Sequence, residues 1–212
     1  MLRKIAATKK PILLSTGMAD LKDIAASLTV LRQAKSGPVI LLHCRSTYPT
    51  SPQDVDLRAI ETMRQRFKLP VGFSDHTLGI GVPTAAAALG AAVIEKHFYL
   101  DDGVHTVDDK FSLNPGELTT MVKWIKQAEA AVGKARKKPT PAELKERMWR
   151  RSLWVVREIK AGELFSKESV KSLRPNLGLS PLYIDQVLGK RAKKNITKNT
   201  PLTRKMIKGF KS

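Results

Sequence analysis

Apolar residues fall along the chain in two rhythms. Short, nearly continuous apolar runs occur at Lys10-Pro-Ile-Leu-Leu-Ser15, Val39-Ile-Leu-Leu-His-Cys44, Val71-Gly-Phe-Ser-Asp-His-Thr77 and Ala92-Val-Ile-Glu-Lys-His-Phe98. Between them lie longer segments of helical period: in Asp20–Ala34 the apolar positions are 21, 24, 25, 28 and 31, and in Asp54–Phe67 they include Val55, Leu57, Ile60, Met63 and Phe67. Such spacing keeps one helix face apolar, whereas the short runs suit strands covered on both sides. The alanine-rich stretch Gly79–Gly90 predicts a third helix. Pro115 in the first turn, Glu117 behind it and Gly133 after the last apolar position bound a fourth, to about Val132. Strand and helix repeated four times predict an α/β fold with a parallel sheet.

In such sheets the working residues collect beyond the carboxyl ends of the strands. Ser15, Ser46–Tyr48, Ser74–His76, His97 and Asp108 all fall there, and the loop from Tyr99 to Asn114 carries Asp101, Asp102, Asp108 and Asp109. His76 and His97 stand 21 residues apart, at matching ends of consecutive strands of one βαβ unit. Adjacent strands lie roughly 5 Å apart, so the two imidazoles are placed to share one divalent metal. The competing reading is a pair of hydrogen-bonded structural histidines. Neighbouring Ser74, Asp75 and Glu95 favour the metal, and the lack of an evident third ligand predicts an open, catalytic style of site.

The texture changes at Lys134-Ala-Arg-Lys-Lys-Pro-Thr-Pro141, a charged and proline-broken boundary. Residues 1–133 form the α/β part, 134–150 a linker with a helical turn or two at Ala142–Met148, and 151–212 a small β-rich domain of short strands and many turns. Arg151–Val156 predicts a strand, and Glu158-Ile-Lys-Ala-Gly-Glu-Leu164 is loosely echoed by Asn195–Leu202.

Charge sharpens this division. The chain has 212 residues and a net charge of +19, but residues 134–212 hold 22 Lys and Arg against 6 Asp and Glu, while residues 1–133 hold 16 against 13. A basic nucleic-acid-binding module is one reading of such a tail. Its cations are scattered, however, and only Trp149 and Trp154 offer stacking, so that reading ranks low. A single cysteine, Cys44, excludes an internal disulfide and suits a reducing cytoplasm. No apolar run approaches the roughly 18–20 residues of a membrane span, and the opening Met1-Leu-Arg-Lys carries no signal-type apolar stretch.

Several motifs are specific in combination. Ser15-Thr-Gly-Met18, Leu42-His-Cys44 with Tyr48-Pro49, Phe73-Ser-Asp-His-Thr-Leu-Gly-Ile80 and Ile94-Glu-Lys-His-Phe98 resemble the sialic acid (N-acetylneuraminate) synthase family. Arg151-Ser-Leu153, Ile159-Lys-Ala-Gly-Glu163, Arg174-Pro175 and Leu188-Gly-Lys190 resemble that family's C-terminal SAF, or antifreeze-like, domain. The match runs through nearly the whole chain in the right order.

The resemblance implies a (β/α)8 TIM barrel that condenses phosphoenolpyruvate with an N-acylated mannosamine-type sugar. It further implies a divalent metal, Mn2+ or Mg2+, on His76 and His97. Phosphate would be bound by Ser15 and Ser74, and sugar contacts made by Ser46, Tyr48 and Asp108. Arg174 matches an arginine that one subunit lends to the other's site, which implies a domain-swapped homodimer. Read singly, Ser15 and Ser74 equally serve as turn caps, Arg174 as a solvated charge and Asp108 as one loop acid among four. Ser46 stands where the family commonly has Asn, and Thr106-Val-Asp-Asp-Lys-Phe-Ser-Leu113 replaces Gly-Pro-Asp-His-Lys-Ala-Ser-Leu. Sialic, legionaminic, pseudaminic and other nonulosonic acids therefore all stay open as products. A full barrel takes about 250 residues and eight βα units. The four units here read as the C-terminal half, so the expectation is a truncated synthase, inactive alone, with a non-catalytic sugar-binding fragment as the rival.

Overall fold

The structure, a computed structural model, describes residues 1–100 and 106–210. Asp101 and Asp102 lie outside the described residues. The chain divides into two compact units, Met1–Lys134 and Ala135–Ser212.

In the first unit the order is α1 (Leu2–Ala7), β1 (Ile12–Ser15), α2 (Leu21–Gln33), β2 (Val39–Cys44), α3 (Ala59–Phe67), β3 (Val71–Asp75), α4 (Gly81–Ala88), β4 (Ile94–Lys96) and α5 (Pro115–Val132). The strands form one parallel sheet in the order β1-β2-β3-β4. Alternation along each strand sends Leu41, Val71 and Phe73 to one face, where they pack against Ile24, Leu28, Ile60, Met63 and Ala86 of the helices. The register Ser15↔Leu42, Cys44↔Ser74 and Ser74↔Glu95 puts those residues on the opposite face. Gly72 lies there too. A Cβ on it would stand 2.5 Å from the Val93 carbonyl oxygen and 2.7 Å from Leu42 Cδ2, so only glycine admits this close approach of β4 to β3.

Caps fix where two helices begin. The Asp20 carboxylate accepts from the Lys22 and Asp23 amides, while Asp23 accepts from the Asp20 amide. Asn114 and Glu117 make the same reciprocal pair ahead of Pro115. The helix expected over Asp54–Phe67 is shorter: a single tight turn at Pro52–Asp54 precedes α3, which starts only at Ala59. Asp56, at φ 54°, sits in the left-handed region and breaks the helical path. The strand expected over Ala92–Phe98 is regular only over Ile94–Lys96. Its outer edge is met by Leu113, whose amide donates to the His97 carbonyl (2.9 Å) and whose carbonyl accepts from the Tyr99 amide (3.0 Å).

The second unit opens with α6 (Pro141–Glu146), capped by Thr140 and Glu143. Its antiparallel sheet has the order β6-β5-β7, with β5 at Ser152–Val155, β6 at Val170–Leu173 and β7 at Thr200–Pro201, and a short helix α7 covers Ile184–Val187. Leu153, Val155, Ile159, Phe165, Val187, Leu202 and Ile207 make its core. The two echoing segments pair with each other, since Ile159 and Ile196 exchange both backbone hydrogen bonds (2.9 and 2.8 Å). Among the described residues no helix is long and apolar enough to cross a membrane.

Candidate active site

The Asp75↔Lys96 pair ends the β3–β4 register, so His76 and His97 leave the sheet side by side. Their ring centroids are 5.5 Å apart. His76 is buried, and its Nδ1 donates to the Arg45 carbonyl oxygen at 2.6 Å. That bond leaves Nε2 as the ring's lone-pair nitrogen, the tautomer a metal needs. The Thr50 amide donates to the His76 carbonyl (2.8 Å) and fixes the backbone beneath. His97 is half-buried, with Nδ1 3.7 Å from a carboxylate oxygen of Asp108.

Aromatic rings complete the cluster. Tyr48, half exposed, lies 4.1 Å from the His76 ring and 6.0 Å from the His97 ring, and Phe111 lies 5.3 Å from Tyr48 and 5.1 Å from His97. Thus His76, His97, Tyr48 and Asp108 converge on one place. Phe111 joins them, a position noted in the sequence only as a departure from the family pattern. Asp109, next to Asp108, accepts from the Thr106 amide and hydroxyl and caps its own turn.

The remaining sequence candidates are placed differently. Ser74 is buried, and its hydroxyl donates to Glu95 Oε1 at 2.7 Å, so its proton is already committed to a carboxylate. Ser15 is exposed at the end of β1, two strands away in the sheet order. Ser46 lines an open cavity of about 510 Å3 together with Gly17, Met18, Arg45, Gln53 and Asp56. Arg174 lies in the second unit, exposed at the end of β6. The loop it opens is pinned, because Ser152 Oγ and Trp154 Nε1 both donate to the Pro175 carbonyl oxygen (2.8 and 3.1 Å). Cys44 is buried and accepts from the Gly17 amide through Sγ at 3.0 Å, as expected of a small core residue.

Two features escaped the sequence reading. One is the Ser74–Glu95 bond. The other is a fully buried ion pair, Lys96 Nζ to Asp75 Oδ2 at 2.7 Å, with side chains 1% and 0% exposed. The signal for it was present. Asp75 and Lys96 alternate with the histidines and so fall on the apolar, helix-covered face, where two opposite charges at matching strand positions must pair. On that same face, burial lowers the pKa of His43 and keeps its imidazole neutral. The Val55 carbonyl, which Nε2 meets at 2.7 Å, opposes this, and Arg45 adds to it.

Known proteins share this architecture. The profile of the NeuB family matches residues 1–137, and that of the SAF domain matches residues 150–208. The chain is 42% identical over 194 residues to pseudaminic acid synthase of Campylobacter jejuni, covering 92% of this chain and 57% of that protein. It is 41% identical over 206 residues to N,N'-diacetyllegionaminic acid synthase of Legionella pneumophila, covering 95% and 58%. The crystal structure of N-acetylneuraminic acid (sialic acid) synthetase from Leptospira borgpetersenii superposes with a TM-score of 0.62 at 34% identity, over 68% of this chain and 50% of that one. The chain thus spans a little over half the length of the curated relatives it matches. The NeuB profile over residues 1–137, with relatives 41–42% identical over more than nine-tenths of the chain, shows that this chain belongs to the NeuB family and ends in a SAF domain.

Proposed function

We propose that the chain forms the aldehyde-binding side of a nonulosonic acid synthase, built on half of a (β/α)8 barrel. In the reaction, C3 of phosphoenolpyruvate adds to the aldehyde carbon of an open-chain N-acylated mannosamine-type sugar, water adds at C2, and phosphate leaves. The carrying observation is the pair of imidazoles 5.5 Å apart at the ends of adjacent strands, one with its tautomer fixed by a carbonyl. In this reading the two histidines are the donors that the described residues offer, since no three His, Cys, Asp or Glu among those residues cluster around one point. Two imidazole nitrogens with the remaining positions left to water and substrate oxygens fit Mn2+ better than Mg2+, which prefers oxygen donors throughout. Bound there, such an ion would supply Lewis-acid polarisation of the aldehyde.

The chain's own groups do the rest. Tyr48 presents half its ring beside both histidines and walls the sugar's side of the site. Asp108 accepts from sugar hydroxyls and, 3.7 Å from His97 Nδ1, orients that ring. Ser15 and Ser74 contact the phosphate, Ser74 after turning its proton away from Glu95. Ser46 and Arg174 are the further sugar contacts, Arg174 reaching a neighbour's site in a homodimer. A soluble, cytoplasmic enzyme suits the buried free thiol of Cys44.

These 212 residues do not complete the site by themselves. Among the described residues strand β1 has an unpaired edge, its own Leu13 is half exposed, and neither Ser15 nor Ser74 brings positive charge to a phosphate. Phosphate recognition normally leans on Lys or Arg. The test supplies a separately expressed four-unit β/α segment of a relative in trans and follows phosphate release that depends on both substrates. Turnover is expected only with the added segment, and His76→Ala or His97→Ala lowers it by about 100-fold or more, as for lost metal support. Turnover unaffected by the double histidine variant removes the proposed site.

A further inference from the structure

The Asp75–Lys96 pair lies one residue before each histidine, on the opposite face of the sheet. Strand alternation sends His76 and His97 to the inner face and Asp75 and Lys96 to the outer one. From β4, the Lys96 ammonium reaches Asp75 Oδ2 at 2.7 Å and also the Thr77 carbonyl oxygen. Asp75 Oδ1 meanwhile accepts from the Thr77 amide at 2.9 Å. His76 is therefore bracketed, with the residue before it and the residue after it both fastened to one ammonium carried by His97's own neighbour. Beyond the Asp75↔Lys96 pair the two carbonyls turn to other partners, that of His76 accepting from the Thr50 amide and that of His97 from the Leu113 amide.

We infer that Asp75 and Lys96 are positioning residues that set the separation of His76 and His97. A buried ion pair is a poor source of stability, because desolvation offsets most of the attraction, and well-packed apolar replacements are often neutral. What an ammonium bound to two acceptors does supply is a fixed geometry. Two strand ends tied in this way keep their rings at one spacing, where a purely apolar contact would let β4, a strand of three regular residues, shift. The metal part of this inference rests on the reading of His76 and His97 as co-ligands, whereas the geometric part does not.

The experiment uses the whole chain and the double variant Asp75→Leu/Lys96→Met, which removes the pair without leaving a buried charge. In the metal-free protein, the NMR cross-ring contact between His76 and His97 is expected to vanish while the thermal midpoint stays near wild type. Co2+ affinity, followed by visible absorption, is expected to fall about 10–100-fold, the usual cost of losing outer support around a metal ligand. Where that variant does not fold, Asp75→Asn/Lys96→Gln takes its place, since the shorter glutamine cannot span both acceptors. A variant that keeps both the ring contact and wild-type Co2+ affinity overturns the inference. Wild-type protein that takes up Co2+ no better than His97→Ala overturns the metal reading instead, and the ring contact still decides whether the pair positions the histidines.

Discussion

Strands β1 and β3 are built from similar material and end differently. Strand β3, Val-Gly-Phe-Ser-Asp, buries all five of its residues, while β1, Ile-Leu-Leu-Ser, buries only Ile12 and leaves Leu13 51% exposed and Ser15 exposed. Neighbours make the difference. Strand β3 has β2 on one side, β4 on the other, helices over its outer face, and Leu42 and Val93 against Gly72 within it. Among the described residues, strand β1 pairs on one side alone. His76 follows the fully buried strand β3, and Ser15, the other candidate of the same site, ends the open strand β1. Residues that must hold a fixed geometry thus sit where packing already dictates one.

The sharpest way to break this comparison is to hollow out both strands. Phe73→Ala removes a ring that is 1% exposed and packed in the main core. It is expected to cost about 3–5 kcal/mol in urea unfolding. Leu13→Ala, on the open face, is expected to cost under about 0.5 kcal/mol. Equal losses would mean that in solution the face of β1 is covered by another chain.

The two serines give a smaller and more discriminating contrast. Ser74→Ala deletes a buried hydroxyl bonded to Glu95 and is expected to destabilise by about 1 kcal/mol, with Glu95 left to water. Ser15→Ala, already exposed, is expected to leave the unfolding midpoint unchanged. In the complemented enzyme, however, both are expected to raise the phosphoenolpyruvate KM several-fold with little change in the sugar KM. A Ser74 effect confined to stability would make it a structural residue.

Much of the first unit was legible because apolar runs and helical periods are strong where a sheet is sandwiched. The bounds of β2 and α5 could be read directly from Val39–Cys44 and Pro115–Val132. The start of α3 was not, because Asp56 turns left-handed without a glycine to announce it. Strand β6, Val-Lys-Ser-Leu, has too little apolar content to stand out and is recognised only by its pairing with β5. In the site, the nearness of His76 and His97 follows from βαβ topology. The bracket around His76 does not, since it depends on which lysine rotamer reaches a carbonyl two residues past its partner strand. That Asp108 lies beyond a strand's carboxyl end was legible from topology, but its nearness to His97 was not, since the loop that carries it has no period to read.

The smallest expected effect lies on β2, the strand that the open and enclosed halves share. His43 faces the helices, 6% exposed, with Nε2 at the Val55 carbonyl oxygen and its ring 6.0 Å from that of Phe73. Burial holds its pKa below the usual 6.5, helped by nearby Arg45 and opposed by the Val55 carbonyl and Asp56. The native state therefore keeps His43 neutral in a pH range where the unfolded chain has already bound a proton. Stability from this group is fully present above about pH 6.5 and is lost progressively as the pH falls toward the lower native pKa, because the unfolded state binds the extra proton. His43→Gln keeps a donor for Val55 but cannot titrate. Unfolding free energies of the two proteins, measured in urea from pH 8 down to about pH 5, are expected to run parallel above pH 6.5 and to converge below it, with wild type losing stability faster. Curves that stay parallel throughout would show that the imidazole meets water as freely as the β1 edge does, and that the enclosed half of the sheet begins only at β3.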